Sequence, residues 1–129
     1  MAADKHPRPT ESELEILQVL WERGPSTVRE VHEVLARQKE TGYTTTLKLM
    51  QIMHDKGTLR RDTSARTHIY EASVSREDTQ HQLLDRMIHT LFSGSAASLV
   101  MQTLGHHRAS AGELEKIKDY LQQLERSKK

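Results

Sequence analysis

Between residues 44 and 51, four side chains can donate hydrogen bonds from one region of a single helix: Thr44, Thr45, Lys48 and Gln51. Hydroxyl, ammonium and amide groups of this kind donate to phosphate oxygens, and the longer ones reach base edges. Lysine suits guanine or phosphate, and glutamine pairs with the N6/N7 edge of adenine. Thr44 and Thr45 stand at a helix start, where free backbone amides favour an anion as well. Arg60, Arg61 and Arg66 follow in a segment with the pattern of a hairpin, placed to grip a nucleic-acid backbone. The net charge is only +1 over 129 residues, but its distribution matters more than its sum. Residues 1–42 hold six Lys/Arg against eight Asp/Glu, whereas residues 43–70 hold five basic against two acidic. Positive charge is concentrated where the donors are.

Other chemistries fare less well. The eight histidines include His81, one helical turn before Asp85, a spacing that can hold an ion on a helix face. His106 and His107 sit between helices, but there is no His-x3-His pair, so no metal site is assigned. A metal- or ligand-responsive regulator stays open as an alternative. No Ser/His/Asp constellation or glycine-rich phosphate loop is recognisable. Glu11, Glu13 and Glu15 fit the surface of a capped helix, where carboxylates meet the positive end of the macrodipole. The expectation is therefore no enzyme, no catalytic residue and no cofactor. The absence of cysteine excludes a disulfide framework and fits a reducing cytoplasm. With no apolar run near about 18 residues and no charged-then-apolar leader, membrane insertion and export are not expected.

The elements that must position the donors are mostly helical. Residues 1–9, with two prolines and no apolar periodicity, form a flexible arm. Thr10 to Glu13 has the form of a capping box, opening a helix with an apolar side of Leu14, Leu17, Leu20 and Trp21, closed by Gly24-Pro25. A second helix opens at Thr27, with Glu30 three residues on, and buries Val28, Val31, Val34 and Leu35. The third carries the donors on one side and a buried stripe of Thr46, Leu49, Met50 and Met53 on the other, ending at Gly57. Strands over 58–61 and 67–72 complete a wing, leaning on the helices through Leu59, Ile69 or Tyr70. The sum is a winged helix-turn-helix over residues 10–74.

Residues 75–129 are helical throughout and too small to bury much by themselves. Leu84, Met87, Ile88 and Leu91 make a broad band on one helix, and a short helix runs from Ala96 to Leu104. Leu114, Ile117, Leu121 and Leu124 make a 3-4-3 seam on the last. Because operators are usually read by two-fold dimers, this lobe is expected to pair two copies of the chain. The fold class is mainly α with a small β-hairpin. A competing reading makes the winged helix a protein-interaction module without DNA binding. In that reading the threonines are helix formers and the arginines solvated, and Asp55, Glu30, Glu33 and Glu40 give it some room.

The succession Thr10-Glu11-Ser12-Glu13-Leu14-Glu15-Ile16-Leu17, then Leu20-Trp21, Tyr43-Thr44-Thr45-Thr46-Leu47, Lys56-Gly57 and Arg60-Arg61 resembles the penicillinase-repressor family, the BlaI/MecI type. The resemblance runs from about Pro9 to Leu124. It implies a bacterial transcriptional repressor that binds palindromic operator DNA as a homodimer, with the C-terminal helices forming the dimer. In antibiotic-resistance members a membrane-bound sensor metalloprotease carries the signal, and the repressor is cut at an Asn–Phe bond after a Leu-Val pair. Here Leu99-Val100 is followed by Met101, Gln102 and Thr103, a candidate cleavage region from which the scissile pair is missing. The cysteine motifs of a copper-responsive branch are also missing.

Overall fold

The structure, a computed structural model, describes residues 8–106 and 109–128. Most of the expected arm, along with His6 and His107, lies outside the described residues. Three helices come first, α1 (Glu11–Arg23), α2 (Val28–Gln38) and α3 (Tyr43–Lys56), then the hairpin β1 (Leu59–Asp62) and β2 (Ile69–Ala72). Helices α4 (Arg76–Leu91), α5 (Ala96–His106) and α6 (Ala111–Ser127) follow. Helix α5 therefore runs past Leu104, where the sequence pattern ends it.

Local chemistry sets the helix starts. Thr10 and Glu13 form a reciprocal capping box, as do Thr27 with Glu30 and Ser110 with Glu113. Each supplies partners to amides that the helix itself leaves unpaired. The core then selects the faces: Ile16, Leu17, Leu20, Val31, Leu35, Met50, Met53, Leu59 and Tyr70 are buried together. On α1 the buried arc is Ile16, Leu17, Val19 and Leu20, while Leu14 and Trp21 are only half-buried, so the expected apolar side is turned by part of a helical step. Val34 and Leu49 likewise pack at the margin of the core. The indole N–H of Trp21 donates to the Val74 carbonyl at 2.9 Å, tying α1 to the chain beyond the wing.

Two features fix the wing to α3. Gly57 adopts φ 88°, a left-handed conformation that costs glycine little, and closes α3 so that β1 begins two residues later. The amide of Thr58 donates to the Met53 carbonyl at 2.9 Å and its hydroxyl to the same oxygen at 3.0 Å. The strands pair antiparallel with Leu59 opposite Ala72 and Arg61 opposite Tyr70. Tyr70 also exchanges both backbone hydrogen bonds with Ser26, at 2.9 and 2.8 Å. The segment between α1 and α2 thus acts as a one-residue third strand, which supports a hairpin too small to stand alone.

Glu13 corrects the expectation of a surface carboxylate: it is 3% exposed. Its carboxylate accepts from the Thr10 amide at 2.8 Å and from Lys56 Nζ at 2.9 Å. Burial works to raise its pKa, but the Thr10 amide and the Lys56 ammonium outweigh that and hold it below the ordinary glutamate value. A depressed carboxylate contributes stability that is complete above its unfolded pKa and is lost as pH falls through the folded one. Glu13→Ala removes the carboxylate half of the capping box and the ion pair, leaving the Thr10 hydroxyl cap in place. It is expected to cost about 2–3 kcal/mol at neutral pH, with a deficit relative to wild type that shrinks in acid. Urea melts of both proteins between pH 7 and pH 3 measure this, and a deficit independent of pH removes the ionic part of the account.

The chain divides into two compact units, Met1–Leu84 and Asp85–Lys129, and the division falls inside α4. In the first, Thr79 is buried and the Arg76 guanidinium lies 5.7 Å from the Trp21 ring centroid. Helices α5 and α6 contain no buried residue among those described. No helix of the described residues is long and apolar enough to cross a membrane.

Candidate nucleic-acid interface

On a helix turning about 100° per residue, Thr44, Lys48, Gln51 and Asp55 lie within roughly 60° of one another, opposite the buried Thr46, Met50 and Met53. All four are exposed and form an outward ridge. Thr45 is exposed too, but turns toward a shallow hollow of about 150 Å³ that it shares with Glu15, Lys39 and Glu40.

The arginines of the wing separate. Arg66 lines a cleft of about 500 Å³ between the start of α2, α3 and the wing, together with Gln51. Arg60 and Arg61 line a different hollow, beside Pro25, Asp62 and Glu71. Register explains part of this: Arg60 faces Glu71 across the ladder, and their side chains form an ion pair at 3.2 Å. Lys56, another member of the basic cluster, is committed to Glu13. At the loop start the Asp62 carboxylate accepts the Ser64 amide at 2.9 Å, and that amide lowers its pKa. Of the positive charge counted in sequence, Lys48, Arg61 and Arg66 make no ion pair among the described residues.

The cleft also contains side chains that sequence reasoning does not select, Arg29 from α2, Tyr43 from α3 and Thr67 from the wing, beside His68, which the sequence places among the groups able to add to the local positive charge. The Arg29 guanidinium lies 5.6 Å from the Tyr43 ring centroid, and His32 meets that ring edge-on at 5.7 Å. No periodic pattern links residues 29 and 66. The available signal is the position of Arg29 in the first turn of α2, where a cation runs against the macrodipole.

The ridge and the basic cleft lie side by side on one face of the first unit. The family model described as penicillinase repressor matches residues 9–123. The chain belongs to the penicillinase-repressor family. It is 21% identical over 125 residues to the penicillinase repressor of Bacillus licheniformis, covering 97% of this chain and 98% of that protein. It is 28% identical over 112 residues to the transcriptional regulator BlaI of Mycobacterium tuberculosis, covering 85% and 80%. The penicillinase repressor of Staphylococcus aureus matches at 19% over 119 residues, covering 92% and 94%. As a penicillinase-repressor family member, the chain is a transcriptional repressor and not an enzyme.

The C-terminal residues selected from sequence are largely uncovered in the single chain. Leu84, Met87, Leu91, Leu114, Leu121 and Leu124 are exposed, Leu91 to 72%, while Ile88 and Ile117 are half-buried. Tyr120, Val100 and Met101 join them as exposed apolar groups that the seam pattern does not include. The candidate cleavage region Met101–Thr103 lies in the middle of α5. Gln102 donates to Ser98 Oγ at 3.1 Å and the Thr103 hydroxyl to the Leu99 carbonyl at 2.7 Å. Among the described residues no group of three metal-ligating side chains occurs, His81 and Asp85 included.

Proposed function

We propose that two copies of this repressor bind a palindromic operator. Each copy lays the Thr44–Gln51 ridge of α3 in a major groove and sets the Arg66 side of the wing against the backbone. The C-terminal helices of residues 75–129 hold the copies together. One observation carries the reading: the ridge adjoins a cleft whose lining includes two arginines and a histidine but no carboxylate, in a chain with 18 Asp/Glu. Lys48 and Arg66 serve phosphate, and Gln51 is the base reader. The site of action is the cytoplasm.

Induction follows from the same arrangement, because any signal that separates the C-terminal helices uncouples the two half-site readings. A sensor metalloprotease acting at Met101–Thr103 has first to unwind the middle of α5. The test of the reading is an anisotropy titration of the protein against its own upstream DNA at several salt concentrations. Three or four phosphates neutralised per protomer give a loss on the order of 10³-fold or more between 50 and 200 mM salt. Binding that is absent at low salt, or indifferent to salt, refutes the proposal.

A further inference from the structure

Arg29 stands where a helix does not want a cation. It is the second residue of α2, beside the positive end of the macrodipole, and makes no ion pair among the described residues. The neighbouring Glu30 does not neutralise it. That carboxylate accepts the Thr27 amide at 2.9 Å, pairs with Arg23 at 3.1 Å, and is absent from the cleft lining. Tyr43 holds the Arg29 guanidinium instead, with its ring centroid 5.6 Å away. Stacking of this kind leaves the N–H edge of the fork available to an oxyanion. Across the cleft Arg66 likewise has no ion-pair partner among the described residues. Two other hollows of this unit set acidic residues beside their basic ones, Asp62 and Glu71 in one, Glu15 and Glu40 in the other. This cleft therefore concentrates a helix N-terminus and two guanidinium groups without a compensating carboxylate.

We propose that the cleft is a seat for one backbone phosphate diester of bound DNA, taken between Arg29 and Arg66, with Tyr43 as the positioning residue for Arg29. The inference rests on the DNA-binding reading and extends it to α2, outside both the ridge and the wing. A free phosphate compound offers the same oxyanion chemistry, so the test has an arm for each source.

The full-length repressor is titrated with its upstream DNA from about 50 to 200 mM salt, in wild-type form and as Arg29→Gln, Arg29→Lys and Tyr43→Leu. Arg66 keeps part of the contact with the shared phosphate, so Arg29→Gln is expected to lower the slope of log K against log salt by up to about 0.9 per protomer, at most roughly 1.8 for a dimer. The weakening should be the same on operator and unrelated DNA, since a phosphate contact has no sequence information. Arg29→Lys should regain most of the slope, and Tyr43→Leu should give an intermediate one. Arg29 is exposed and outside the core, so unchanged thermal unfolding separates contact from folding. A steep wild-type slope that Arg29→Gln leaves untouched overturns the seat while leaving DNA binding intact. A wild type that binds no DNA overturns both. In the second arm inorganic pyrophosphate is titrated calorimetrically without DNA, and no stoichiometric binding is expected. Stoichiometric binding lost in Arg29→Gln, with the DNA slope unchanged, gives the cleft to a free phosphate compound and overturns the diester assignment.

Discussion

Replacing Leu114 and Leu121 with aspartate is expected to leave the winged helix folded, convert the repressor to single copies, and weaken operator binding by on the order of 10²- to 10⁴-fold. Both side chains lie on the 3-4-3 seam of α6, and Leu121 is 51% exposed in the single chain. A charge placed there meets water, so the fold of one copy loses little. In a two-fold interface each substitution occurs twice, and each leucine that packs there, already about half covered in the single chain, contributes roughly 1 kcal/mol through the burial that remains. Four such losses, with aspartates facing across the axis, exceed what a small interface can spare. The loss of affinity follows from linkage: joining two half-site readers makes the second contact intramolecular and multiplies affinity by about 10²–10⁴. Sedimentation and operator titration of the same sample measure both quantities. Aspartates that leave mass and affinity unchanged place the interface elsewhere, with Tyr120 or the Val100–Met101 surface next in line.

What the sequence makes legible is what local pattern encodes. The three capping boxes are readable because both partners lie within four residues of each other. The outward ridge of α3 is readable because Thr46, Met50 and Met53 recur at helical spacing on the opposite side. Where sequence and structure part, the physical origin is shared: the deciding partner lies far along the chain. Glu13 has the pattern of any first-turn carboxylate, and only Lys56, 43 residues away, makes its burial tolerable. On α1 apolar residues span so much of the helix that periodicity cannot choose an arc, and packing turns the face toward Ile16 and Val19. The bridge between Ser26 and Tyr70 is a single pair with no period to detect. Arg29 and Arg66 belong to one cleft only after α2 and the wing have folded. Arg60 is readable as basic, but its pairing with Glu71 depends on strand register.

That last distinction sets up a sharp contrast among substitutions of basic residues. Lys48→Ala combined with Arg66→Ala is expected to weaken operator binding about 1,000-fold at 150 mM salt. The pair of substitutions takes two phosphate partners from each protomer and so four from the dimer, and each contributes about 0.9 log units of affinity per tenfold dilution of salt. The salt slope should fall by up to about 3.6 in parallel, less whatever Arg29 retains of the phosphate it shares with Arg66. Arg60→Ala should do far less, because its guanidinium already satisfies Glu71 and lies in a separate hollow with acidic neighbours. Gln51→Ala should behave differently from all of these. It is neutral, so the slope should hold, while discrimination between operator and unrelated DNA should drop by about 1–3 kcal/mol per half-site. Anisotropy titrations of the three proteins on both DNAs measure these effects together. An Arg60→Ala loss equal to that of the double variant means that the wing meets the backbone through its other side. A Gln51→Ala variant with full discrimination removes Gln51 from base reading and leaves specificity to Thr44 and the shape of the duplex.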